Sequence, residues 1–132
     1  MNYNQYEYPM PKEKKVRVIT DTDAANEGDD QFAIVHTLLS SKFENVAMIA
    51  AHFGTRHDHT MQESYDELIR IFGKLGMDPE GVVVHGAPHA LPDEHTPVAS
   101  EGARRIIEEA MKDDPRPLYV TFLGPLTDLA SA

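Results

Sequence analysis

The sequence contains no cysteine, which excludes disulfides, thiolate metal sites and a cysteine nucleophile. That absence fits a cytoplasmic protein, the compartment expected here. Positive charge is scarce. The 132 residues carry 12 Lys and Arg against 22 Asp and Glu, for a formal net charge of -10. A broad phosphate-backbone footprint needs clustered bases, so nucleic acid is not an expected partner. No apolar run approaches the roughly 18 residues of a membrane span. The opening MNYNQYEYPMPKEKK also lacks the apolar stretch of a secretory signal. No membrane partner is therefore expected. Phosphate-cradling glycine patterns are missing too, since neither GxGxxG nor GxxxxGK(S/T) occurs. The length suits one domain.

The acids that are present cluster. Residues 21–30 read DTDAANEGDD, with Asp21, Asp23, Glu27, Asp29 and Asp30 and no base among them. Elsewhere acids mix with bases, as in RRIIEEAMKDD, the pattern of a solvated helix face. An unbalanced cluster repels itself, so it is either a solvated loop or a place for a cation.

The chain alternates strand and helix patterns. Residues 1–14 hold three Tyr and two Pro and little aliphatic content, and are read as a tail or packing arm. KVRVIT (15–20) is β-branched and reads as a strand. A helix follows the acidic loop, with Phe32, Val35 and Leu39 on its expected apolar face and Ile34 and Leu38 beside it. Asp29 and Asp30 fall in its first turn, where the helix dipole favours negative charge. VAMIAAH (46–52) has the character of a buried strand. The Met61, Tyr65, Leu68, Phe72, Leu75 stripe then marks a long helix that Gly76 ends. GVVVH (81–85) is a third strand. Ser100 is the expected N-cap of a third helix carrying Ala103, Ile106, Ile107, Ala110 and Met111. LYVTFL (118–123) is a fourth strand, and a helix starts after Gly124-Pro125.

This order predicts an α/β fold with an open, mostly parallel, Rossmann-like sheet and flanking helices over residues 15–132. Ligands of such sheets bind at the carboxyl ends of the strands. The loops after the first and fourth strands therefore matter most.

Asp21 and Asp23 lie two apart at a strand end and can point the same way. Asp30 opens the next helix and can face back over the loop. Such converging carboxylates suit a hard divalent ion, calcium or magnesium. A helix N-cap with a solvated turn is the plainer alternative. An EF-hand is excluded, because its positions 5, 6 and 12 would fall on Ala25, Asn26 and Phe32. A magnesium-dependent Asp-x-Asp phosphatase would use Asp21 as nucleophile and Asp23 as acid. Its usual Gly-Thr continuation is absent here.

Strand, Asp-Thr-Asp, a turn, Asp-Asp and an apolar helix together resemble the N-terminal signature of the nucleoside hydrolases, usually DTDxGxDDxxAL. The second landmark of that family, a strand leading into Gly-Pro-Leu-Thr-Asn-Leu-Ala, is similar to Gly124-Pro125-Leu126-Thr127-Asp128-Leu129-Ala130. The resemblance implies one calcium ion at the strand ends and hydrolysis of the N-glycosidic bond of a nucleoside or related ribosyl molecule. By the same resemblance Asp23 is metal ligand and general base, and Asp30 is the second carboxylate ligand. The Leu123 carbonyl adds to the shell, Asp29 bonds a ribose hydroxyl, and Asp21 is a supporting residue.

The departures from the family pattern are specific. Five residues, Ala24 to Gly28, separate Asp23 from the Asp-Asp pair, where three are usual. Asn26 and Glu27 thereby enter the loop as candidate metal or sugar contacts. Thr55 stands where an Asn usually contacts the ribose. The resemblance covers the chain from Lys15 but only the first part of such enzymes, so a domain truncated at its C-terminus is expected. The missing part carries further sugar contacts, a leaving-group His and the last Asp ligand. A non-catalytic remnant or binding module is the third reading. A homo-oligomer stays open, although a second copy would not replace residues the chain lacks. His57 and His59 alternate in a loop with no third zinc ligand. His85 and His89 are read as loop residues, and His36 as a packed or surface residue.

Overall fold

The computed structural model describes residues 10–132, so most of the expected N-terminal arm lies outside the described residues. Of its remainder, Lys12–Lys14 forms one turn of 3-10 helix. Four strands follow: β1 (Val16–Thr22), β2 (Phe43–Ala50), β3 (Val83–His85) and β4 (Leu118–Phe122). They alternate with helices α1 (Asp29–Leu39), α2 (Thr60–Leu75), α3 (Glu101–Ala110) and α4 (Thr127–Ser131). The sheet order is β3-β2-β1-β4 and every pairing is parallel. This is the expected α/β architecture.

The order of strands fixes the site. From β1 the chain steps outward through β2 to β3, then returns past β1 to place β4 on its other side. The loops after β1 and β4 therefore diverge over the carboxyl ends of two adjacent strands, the crevice where open α/β sheets bind ligands.

Helices cover both faces. Ile34 and Leu38 of α1 and Leu68, Ile71 and Phe72 of α2 pack with Met48, Ala50 and Val83 on one face. Ile106 of α3 packs with Ile19, Ala47, Ile49 and Val84 on the other. Ile19, Ile34, Met48, Ile49 and Leu68 are fully enclosed. Each such side chain contributes roughly 1.5–3 kcal/mol through removal from water. Gly76 ends α2 in the left-handed conformation at φ 64, as its C-cap. The Ser100 hydroxyl caps α3 by accepting from the Ala103 amide at 2.9 Å.

Three sequence expectations are corrected. On α1 the expected face is wrong: Phe32 is 81% exposed, and the buried line is Asp30, Ile34 and Leu38. Second, β1 runs on through Asp21 and Thr22, so Asp21 is a strand residue inside the sheet. Third, Glu109 does not lie on a solvated face. It is buried and paired with the buried Arg17 of β1, its carboxylate 3.4 Å from the guanidinium. Among the described residues no helix is long and apolar enough to cross a membrane.

Candidate functional site

The site is built where β1 ends. Asp21 pairs with Ile49 of β2 and Phe122 of β4, so strands hold it on both sides. It is 1% exposed, and neither carboxylate oxygen has a hydrogen-bond partner. Burial first, then the charges of Asp128 and Asp23, push its pKa up to about 8. A carboxyl with no donor and two acidic neighbours retains its proton.

Asp23 follows, past the end of the strand. Its backbone carbonyl accepts the Asn26 amide at 2.8 Å, which closes a turn. Its Oδ2 accepts from Asn26 Nδ2 at 3.1 Å. The carboxylate lies against Gly124 after β4: a β-carbon on Gly124 would stand 2.5 Å from Asp23 Oδ1. The glycine is thus what lets Asp23 lie against the end of β4, one residue from Leu123. The Leu123 amide in turn donates to the Asp21 carbonyl at 2.9 Å, which continues the β1–β4 ladder into the loop.

Asp30 heads the buried line of α1. Thr22 Oγ1 donates to its Oδ1 at 2.6 Å, tying the helix to the end of β1. Burial raises the pKa of Asp30. The Thr22 hydrogen bond opposes that rise, and the charges of Asp23 and Asp29 add to it. Asp23 and Asp30 therefore feel one another across the loop. Asp29 and Glu27 are exposed and Asn26 is half-buried between β1 and the start of α1, while Thr55 is exposed on the loop after β2. The expected site residues thus share the carboxyl end of the sheet. Asp21 lies beneath the others, enclosed.

Sequence reasoning missed two residues here. Asp128, in the first turn of α4, is 1% exposed. Its carboxylate accepts the Ala87 amide at 3.0 and 3.1 Å and the Ser100 hydroxyl at 2.5 Å. Only glycine fits beside it, since β-carbons on Gly86 and Gly102 would stand 2.6 and 2.7 Å from its oxygens. One side chain thus gathers the loop after β3, the start of α3 and the start of α4. The second is His52, just past β2, 5% exposed, with Nε2 2.9 Å from Thr127 Oγ1. Burial holds its imidazole below the ordinary histidine value, so it is neutral. A signal existed for Asp128: it replaces an Asn in an otherwise matching motif.

The other histidines do not join this hydrogen-bonded set, although His89 is near enough to His52 for its charge to lower the His52 pKa further. His57 sits 3.5 Å from Glu63, and His36 and His89 are exposed. His85 is the last residue of β3 rather than a loop residue. It stacks on Tyr65 at 3.8 Å and its Nδ1 meets Glu101 at 3.3 Å. Among the described residues, no group of three or more His, Asp or Glu side chains is arranged to hold a metal ion.

No family model matches the chain, and no curated protein matches it either. Among solved structures, a nucleoside hydrolase-related hypothetical protein from Saccharophagus degradans, associated with carbohydrate metabolism, superposes with a TM-score of 0.62. The match covers 89% of this chain at 22% identity. The chain shares that protein's fold. It spans about a third of that protein's length, 32%.

Proposed function

We propose that this chain carries the site of a hydrolase acting on the N-glycosidic bond of nucleosides or related ribosyl compounds, with calcium held by Asp23, Asp30 and the Leu123 carbonyl. The observation that carries the reading is the seating of the Asp23 carboxylate against Gly124, beside Leu123 and within electrostatic reach of Asp30.

The donor set fits a hard ion. Two carboxylates and a backbone carbonyl are all oxygen, the ligand type that calcium and magnesium prefer. Repulsion between the two acids, which already raises the Asp30 pKa, is offset by a cation between them. Three groups are only part of a calcium shell of six to eight oxygens. Water and a sugar diol are left to complete it. When bound, the ion acidifies a coordinated water and orients the sugar.

The chain's own residues do the rest. Asp23 Oδ1 takes the proton from the attacking water, while Asn26 holds Oδ2 and fixes the plane of the carboxylate. Asp29, exposed at the start of α1, accepts from a sugar hydroxyl. Asn26, Glu27 and Thr55 offer further polar contacts at the rim. The acids together favour positive charge developing on the sugar ring in an oxocarbenium-like transition state.

The phosphatase reading needs Asp21 as nucleophile. Asp21 is enclosed and keeps its proton up to about pH 8, which makes it a poor nucleophile.

Chromatography of nucleosides incubated with the protein and calcium tests the proposal. The expected products are free base and ribose, lost in Asp23→Asn. Release of phosphate from a phosphomonoester without base release would overturn it.

A further inference from the structure

We propose that His52 is a positioning residue that holds the turn after β4, and with it the Leu123 carbonyl and Gly124, in place over the end of β1. The inference rests on the proposed calcium site only for what that turn is positioned to do.

The turn starts from one ladder bond, the Leu123 amide to the Asp21 carbonyl at 2.9 Å. Leu123 is 39% exposed and Leu126 is 57% exposed, so apolar burial does not anchor it. Beyond that bond, its buried side-chain anchors are Thr127 and Asp128, 6% and 1% exposed. Asp128 binds outward, to the loop after β3 and the start of α3. Thr127 binds the other way, to His52 on the loop after β2, across 75 residues of sequence. His52 is itself tied to the sheet, because the Ala51 amide beside it donates to the Thr22 carbonyl of β1 at 2.9 Å. The hydrogen bond between His52 and Thr127 thus links the end of β1 to the turn whose Gly124 seats Asp23.

The imidazole suits this task. Burial, with the charge of His89 adding to it, keeps the ring neutral against the opposing pull of Asp128 and Asp23, so Nε2 can either donate to or accept from Thr127. Its Nδ1 is buried and has no partner. Retaining an unpaired buried nitrogen has a cost. An apolar side chain of similar size would avoid that cost, so core filling alone does not explain a histidine.

Hydrogen exchange on the full chain in chelator tests this without calcium. In His52→Leu and in Thr127→Val, exchange of the Leu123 and Ala87 amides is expected to speed up at least tenfold, with the α2 amides unchanged. The double variant is expected to match either single variant, and His52→Gln, which keeps an Nε2 at similar reach, to restore most of the protection. Unchanged exchange at Leu123 in Thr127→Val would overturn the proposal. So would acceleration spread evenly through α2, the mark of a side chain that only supports the fold. A parallel calorimetric titration with calcium alone separates the two readings. If the unaltered protein takes up no calcium, the metal reading fails and the exchange result still decides the role of His52.

Discussion

The backbone of Gly124 lies against the carboxylate of Asp23 so closely that a β-carbon there would stand 2.5 Å from Oδ1 and 2.7 Å from Cγ. The two residues lie a hundred positions apart in sequence, and the β1–β4 pairing brings them together. This contact makes the end of β4 part of the site rather than a connector.

Gly124→Ala is therefore expected to push Asp23 out of place. The backbone there is not in the left-handed region, so alanine is conformationally acceptable and the effect is steric. Overpacking of this kind costs about 1–3 kcal/mol. Calorimetry with calcium is expected to show at least a tenfold loss of affinity, with a fall in melting temperature of a few degrees.

Asp21 sets a pH dependence. The folded chain keeps its proton up to about pH 8, while the unfolded chain releases it near the ordinary carboxyl value of 3.8. The stability this group contributes is thus fully present below pH 3.8 and is lost as pH rises through 8. The loss is on the order of a few kcal/mol. Thermal melts in chelator are expected to show the protein weakening from pH 5 to pH 8. Asp21→Asn, which cannot ionise, is expected to flatten that slope.

Asp128 holds three segments with one carboxylate. Asp128→Ala strands the buried Ala87 amide and the Ser100 hydroxyl, which is expected to cost about 3 kcal/mol. Asp128→Asn keeps one acceptor oxygen and is expected to cost less. Both variants remove a charge that raises the Asp21 pKa, so Asp21 is expected to titrate lower in each. Denaturant melts and carboxyl NMR titration read the two effects separately.

Much of this architecture was legible in the residues. The alternation of β-branched runs with helical stripes, the stop at Gly76 and the cap at Ser100 all appear where local chemistry placed them. The face of α1 was not legible. Phe32, Ile34, Val35, Leu38 and Leu39 spread apolar groups around much of the helix, so periodicity alone could not choose. In the fold Ile34 and Leu38 enter the core, and Asp30, four residues before Ile34, lies on the same line and is held there by Thr22. Asp23 and Asp30 were legible as a pair because both flank one short loop. Asp128 and His52 were not, because their partners lie on segments far away in sequence and only the sheet order brings them close.

In the proposed site Asp23, Asp30 and the Leu123 carbonyl share one cation. Anomalous diffraction from a crystal grown in calcium tests it most directly. A peak is expected within about 2.3–2.6 Å of an oxygen from each of those three groups, the usual calcium–oxygen distance. A peak placed elsewhere, or none at saturating calcium, would contradict it.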